Sequence, residues 1–128
     1  DIITKRELAS FVASLERKSY VPVASGVDSL ENSGVAEEGE LESDDPAKRE
    51  DGVKYIVNAL GYKEVALLEG IYTTPFLDEA EISQGYIGYV ALAKGMNIIS
   101  GDENSEFNPQ EGLTRADAAI MIYNYLVN

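Results

Sequence analysis

The chain contains no cysteine, no histidine and no tryptophan, and only 10 of its 128 residues are Lys or Arg against 23 Asp or Glu. Each shortage removes a class of chemistry. Without cysteine there is no disulfide and no thiolate, although this leaves the compartment open because many surface proteins also lack it. Without histidine the chain lacks the commonest general base and the commonest metal ligand. A serine nucleophile would then need a lysine base, and no Ser-x-x-Lys spacing occurs. The formal net charge of -13 argues against nucleic acid, whose phosphates are bound by Lys and Arg. No apolar run approaches the length of a membrane span, so no membrane insertion is expected. No signal-peptide pattern opens the chain, which starts at Asp1-Ile2-Ile3 as a processed form or an excised piece would. Carboxylate pairs are plentiful, but none is singled out by its spacing. The expectation is a protein without catalysis, cofactor or resident metal.

What the chain does have is helical punctuation. Its length fits one modest domain able to bury a core. Thr4 and Glu7 have capping-box spacing ahead of an apolar stripe, Leu8, Phe11, Val12 and Leu15, so a helix is predicted over 4–16. Residues 17–45 are rich in Glu, Asp, Ser and Gly and read as an acidic, solvated loop or linker. A second helix is expected from Asp45-Pro46, with Asp as N-cap and Pro at the first helical position. Its stripe is Val53, Ile56, Val57 and Leu60, and Gly61 stops it. A short helix over 62–69 follows. Phe76-Leu77-Asp78 reads as an anchor and a cap. A third main helix is expected over 83–94, ended by Gly95 or Asn97 in a left-handed cap. Phe107 reads as a core anchor, Asn108-Pro109 as a turn, and Thr114 opens a last helix running to 127.

Three of these helix starts align without gaps: Thr4-Lys5-Arg6-Glu7, Lys48-Arg49-Glu50-Asp51 and Thr114-Arg115-Ala116-Asp117. Val12, Ile56 and Ile122 then fall at one equivalent position, and Ala9, Val53 and Ala119 at another. In every start a base (Lys5, Arg49, Arg115) stands two residues before an acid (Glu7, Asp51, Asp117). The acid alone is what any helix places near its N-terminus to oppose the dipole. The recurring base has no such explanation, and equivalent helices of this kind would pack around a common centre.

From Pro75 to Leu126 the chain resembles the S-layer homology family. Phe76-Leu77-Asp78, Tyr89-Val90-Ala91-Leu92-Ala93-Lys94-Gly95, Ile98-Ile99-Ser100-Gly101-Asp102, Phe107-Asn108-Pro109 and Leu113-Thr114-Arg115-Ala116-Asp117 follow the family's order and spacing. Lys48 to Tyr62 looks like the opening helix of the same repeat, and Thr4 to Leu15 like that of an adjacent one. The resemblance implies an all-α fold of helical repeats packed around a central helix cluster, here with an acidic loop insertion. It divides a single domain, 1–128, into a first repeat helix at 4–16, the loop at 17–45, a best-formed repeat at 46–112 and the opening helix of a further repeat at 113–128. It also implies non-covalent attachment to the bacterial cell wall, outside the cell, through secondary cell-wall polysaccharides that often carry pyruvate ketals. The family's Thr-Arg-Ala-Glu motif carries over as Arg115 and Asp117, then Arg49 and Asp51, then Lys5 and Glu7. The Gly101-Asp102 turn matches positions near the binding groove. Lys48 stands where the family usually has Thr, Lys5 where it has Arg, and Tyr86 is the nearest aromatic to the usual Trp.

Each candidate has a plainer reading. An Arg at a helix N-terminus opposes the dipole, so Arg115 is suited to binding a ligand carboxylate by two parallel hydrogen bonds. It is equally suited to an inter-helix salt bridge with Asp51, Asp78 or Asp117. Helix N-terminal amides would assist an anion. Tyr72 and Tyr86, at segment edges, are the tyrosines placed to stack on sugar rings, the others lying at core spacing. Asp102-Glu103-Asn104-Ser105-Glu106 resembles a calcium loop only superficially, because Phe107 and Leu113 occupy the positions where an EF-hand needs Gly and Glu. The expected activity is glycan binding at the cell surface. The alternatives are a structural or protein-interaction module, in contact with other surface-protein domains, whose grooves no longer bind, and an accessory region of a wall-active enzyme.

Overall fold

A computed structural model describes residues 1–17 and 45–127, with nothing described of the side chains of Phe11 and of residues 13–17. The predicted acidic loop therefore lies outside the described residues, apart from Arg17 and Asp45. The described chain is all-α: α1 (Lys5–Arg17), α2 (Arg49–Ala59), α3 (Lys63–Ala66), a 3₁₀ turn (Glu79–Glu81), α4 (Ile87–Gly95) and α5 (Arg115–Val127). Helix α2 is the hub, packing against α1, α3, α4 and α5. Its Val53, Tyr55, Ile56 and Val57 are fully or almost fully buried, and Leu8, Ala9 and Val12 of α1, Tyr89, Val90 and Ala93 of α4 and Met121 of α5 complete the core.

The three long helices α1, α2 and α5 start around one ring of hydrogen bonds. Ile3 N donates to Leu113 O (3.0 Å), Leu113 N to Ala47 O (2.8 Å) and Ala47 N to Ile3 O (2.9 Å), which closes the cycle. A second cycle surrounds it: Lys5 N to Asp45 O, Arg49 N to Glu111 O and Arg115 N to Asp1 O, at 2.9–3.0 Å. Ile3, Ala47 and Leu113 are completely buried at its centre. Backbone polar groups buried at such a point must be paired, and three short extended segments pair each other. The helix starts aligned in the sequence are thus related in space by an approximate threefold arrangement.

This ring corrects the second helix start. Asp45 does not cap a helix and Pro46 is not its first residue. Pro46 bridges to Thr4, Lys48 bridges to Gly112, and the helix begins three residues later with Lys48 as N-cap. Proline disfavours a helical residue before it, and the ring needs 46–48 extended. The first and last starts are capped as expected. At Thr4 the hydroxyl accepts from Glu7 N (3.1 Å) and Glu7 accepts from Thr4 N (3.2 Å), and Thr114 Oγ1 accepts from Asp117 N (3.0 Å). At Lys48 only the carboxylate half is possible, and Asp51 Oδ2 accepts from Lys48 N at 2.9 Å.

Helix α4 also starts later than predicted. Gly85 takes a φ of +85°, and Tyr86 becomes the N-cap. The helix ends as expected, with Asn97 left-handed at φ 60°. Phe76 and Phe107 are buried with their rings 5.5 Å apart. Asp78 caps no helix through its side chain. Its carboxylate instead accepts from Phe107 N and Asn108 N.

Candidate functional site

The two arginines of the aligned starts each reach a neighbouring start. Arg49 Nη1 meets Asp117 Oδ2 at 2.8 Å, and Arg49 Nε donates to Phe107 O at 2.8 Å. Its guanidinium also lies over the Phe107 ring, 5.3 Å from the centroid. Arg115 Nη2 meets Glu7 Oε2 and its Nε meets Asp1 Oδ2 at 3.2 Å. Arg115 therefore does form an inter-helix salt bridge, but to Glu7 and Asp1 instead of Asp51, Asp78 or Asp117. Threefold logic would next pair Lys5 with Asp51. Among the described residues no ion pair joins them. Asp51 is 4% exposed, and its Oδ1 accepts a long hydrogen bond from Tyr86 OH (3.4 Å).

Among the described residues, the Arg49–Asp117 junction has a groove that gathers several candidates. A depression of about 280 Å³ is lined by Arg49, Asp117, Gly101, Asp102, Asn108 and Glu111, with Ile99 and Met121 as apolar floor. The turn preceding α5 builds its wall. Asp102 Oδ1 accepts from Asn104 N (2.8 Å) and Glu106 N (3.0 Å), and Oδ2 accepts from Asn108 Nδ2 (3.0 Å). The bond from the Glu106 backbone, above all, holds the Asp102 carboxyl below its ordinary value, helped by Asn108 and the charge of Arg49. Asp102 is therefore a turn-former first. Gly101 lies against Phe76, where a Cβ would come within 3.2 Å of the ring.

The groove's electrostatics are mixed. Arg49 is its one cation, facing Asp102, Glu111 and Asp117. The Arg49 side chain is 17% exposed and two of its nitrogens are engaged, while Nη2 has no acceptor among the described residues. The expected help from helix amides is not available at this start, because Arg49 N donates to Glu111 O and Glu50 N to Pro109 O. Arg115 borders a different, apolar depression with Ala119, Ile122, Tyr123 and Leu126. Glu7 is held below its ordinary pKa, chiefly by its hydrogen bond from Arg115.

Of the residues singled out from sequence, the structure thus brings Arg49, Asp117, Gly101 and Asp102 together. It places Arg115 with Glu7, and Asp51 with Tyr86, at separate junctions. Tyr72 and Tyr86 are half-buried, and the Tyr72 hydroxyl binds Val65 O. The more exposed tyrosines are Tyr62 and Tyr123, at 44% and 64%. Sequence reasoning missed Asn108 and Glu111 as groove residues. A left-handed Asn108 (φ 61°) is signalled only weakly by an Asn before Pro.

Comparison with known proteins bears on the same segment. Residues 75–119 match the S-layer homology domain. The chain is also 40% identical over 65 residues to an amylopullulanase of Thermoanaerobacterium thermosulfurigenes, an alignment covering 51% of this chain and 3% of that protein. S-layer homology domains are non-catalytic modules that anchor extracellular proteins at the cell surface by binding cell-wall polymers. Among the described residues no helix is long and apolar enough to cross a membrane. With its Phe76 anchor, its Gly101-Asp102 turn and its Thr114-Arg115-Ala116-Asp117 helix start, the segment 75–119 of this chain matches the S-layer homology domain, a family of cell-surface anchoring modules.

Proposed function

We propose that the chain anchors a surface protein non-covalently by binding a pyruvylated secondary cell-wall polysaccharide in the groove at Arg49. One observation carries this reading: Arg49 is bonded through Nη1 to Asp117 and through Nε to the Phe107 carbonyl, lines a groove together with Gly101 and Asn108, and keeps an Nη2 without an acceptor among the described residues. A guanidinium fixed on one edge loses little freedom when its other edge takes a carboxylate. Asp117 keeps the arm in place, Asp102 shapes the wall, and Ile99 and Met121 offer apolar surface to sugar C–H groups. Arg115 with Glu7 and Asp51 with Tyr86 are secondary sites of the same type, with Lys5 a weaker member. In this reading 1–128 is one domain, with 46–112 its best-formed repeat and 113–128 opening a further one.

Three carboxylates face the single groove cation, and the chain is strongly acidic. Binding of an anionic glycan is therefore local and falls with salt. The test is co-sedimentation with wall material before and after acid removal of its pyruvate. Wild type is expected to sediment only with the untreated wall, Arg49→Ala to lose about tenfold or more in affinity, and Arg115→Ala to lose less. Binding that ignores pyruvate removal, or survives Arg49→Ala, sinks the reading.

A second reading is favoured by the ion pairs themselves. Because Arg49 and Arg115 both already hold carboxylates, the module would serve as a spacer or as a contact for other surface-protein domains. That reading expects no wall binding at all.

A further inference from the structure

Asp78 is 5% exposed and lies 29 residues from Arg49 in the chain, yet a single peptide unit links them. Asp78 Oδ1 accepts from Phe107 N at 2.9 Å and Oδ2 from Asn108 N at 2.7 Å. The Asn108 N–H belongs to the same peptide plane as the Phe107 carbonyl, and that carbonyl accepts from Arg49 Nε at 2.8 Å. In a planar trans peptide the N–H and C=O point in opposite directions. Fixing the N–H on Asp78 therefore fixes the carbonyl on Arg49. The plane is also polarised in one sense, from a carboxylate at its N–H to a guanidinium at its oxygen, which strengthens both bonds. Asn108 sits at φ 61°, a conformation that persists only where neighbours over-determine it. Asp78 does so from one side. The Asn108 side chain, bonded to Asp102 Oδ2 at 3.0 Å, does so from the other.

We propose that Asp78 is a positioning residue for the groove: acting through the Phe107–Asn108 peptide, it sets the direction in which Arg49 presents Nη2. This rests on the reading of Arg49 as the ligand arm, and it adds a residue that touches neither the ligand nor the groove. Glu50 and Asp51, the other buried carboxylates of the described chain, have no comparable link to Arg49. Glu50 accepts from Ser83 N and Gln110 Nε2, and Asp51 serves the Lys48 cap.

Asp78→Asn keeps the shape but offers one oxygen to two amides and turns an NH₂ donor toward the other. The primary readout is the Arg49 Nε–H resonance, assigned by its disappearance in Arg49→Lys. In folded Asp78→Asn it is expected to shift toward the position of solvated arginines and to exchange faster. Affinity for purified pyruvylated wall polysaccharide is expected to fall about five- to tenfold. In the Arg49→Lys background the same substitution should cause no further loss, because both act through one arm. An unmoved resonance in folded Asp78→Asn overturns the proposal, as does an undiminished loss in the Arg49→Lys background. If wild type fails to bind the polysaccharide, the glycan reading falls and the resonance alone decides the positioning role. Should Asp78→Asn not fold, Asp78→Glu, which moves both oxygens by one methylene, gives the same readout: a shifted resonance supports the coupling and an unshifted one refutes it.

Discussion

Gly88→Ala separates this packing from any looser arrangement of the same helices by the sign of its effect. Gly88 is buried in α4, and a Cβ there would fall inside the Ala66 carbonyl, 2.8 Å from its carbon, and 2.9 Å from Tyr72 Cε2. Ordinary contact begins near 3.4 Å, and the added Cβ would overlap the Ala66 oxygen, so α3 must retreat by more than an ångström. It is not free to do so, because Ala66 is 2% exposed and belongs to the core. Overpacking costs about 1–3 kcal/mol, and a backbone carbonyl as the obstacle places this case near the upper end. Alanine's higher helix propensity returns about 1 kcal/mol. The net expectation is a loss of about 2 kcal/mol, or roughly 7 °C in Tm for a domain of this size. Gly95→Ala is the control, since nothing lies within 4 Å of its added Cβ, and a gain of up to about 1 kcal/mol is expected. Urea and thermal unfolding of both variants read the difference. A Gly88→Ala protein as stable as Gly95→Ala would refute the close approach of α3 to α4.

Thr114→Ala removes a cap hydroxyl and should cost about 1 kcal/mol, whereas Lys48→Thr should gain less than that, because Asp51 N already donates to Lys48 O and the bond from Lys48 Nζ to Gln110 is lost; denaturant midpoints check both. The Glu7 carboxyl sits below its ordinary value of 4.5 because of Arg115. Its contribution is therefore present above that value and disappears as pH falls through the depressed one. The stability difference between wild type and Arg115→Ala should accordingly shrink as pH falls below 4.5 and vanish once Glu7 is protonated, and a difference that persists with Glu7 protonated would remove the ion pair as its cause. Glu106 is pushed up, by desolvation first and then by the charges of Asp78 and Asp102. Glu106→Gln should thus raise Tm at neutral pH and have no effect in acid, where the carboxyl is already neutral.

Local chemistry explains what was legible in the sequence. The Thr4–Glu7 box, the left-handed Asn97, the Phe107 anchor and the helical class itself depend on residues a few positions apart. The central ring does not. Ile3, Ala47 and Leu113 meet through isolated bridges too short to leave any alternation, and the ring overrode the local signal at Asp45-Pro46, which reads as an excellent helix start. In the same way a recurring base and acid were visible, but not their partners: Arg49 finds Asp117 68 residues away. Arg115 stands out in the sequence because its motif is the more complete. Arg49 owes its place in the groove to the turn at 101–111, which packs against its own helix start. Asp78 looked like a cap because Asp often is one, and only the folded chain brings Phe107 and Asn108 to its carboxylate.

The most direct measurement is a crystal structure of the protein soaked with a pyruvylated disaccharide. The account predicts the pyruvyl carboxylate within hydrogen-bond range of Arg49 Nη2, about 3 Å, with the sugar against Gly101 and Met121 and the Arg49–Asp117 pair still in place. Ligand bound only elsewhere on the surface, or a groove left empty at saturating sugar, would contradict it.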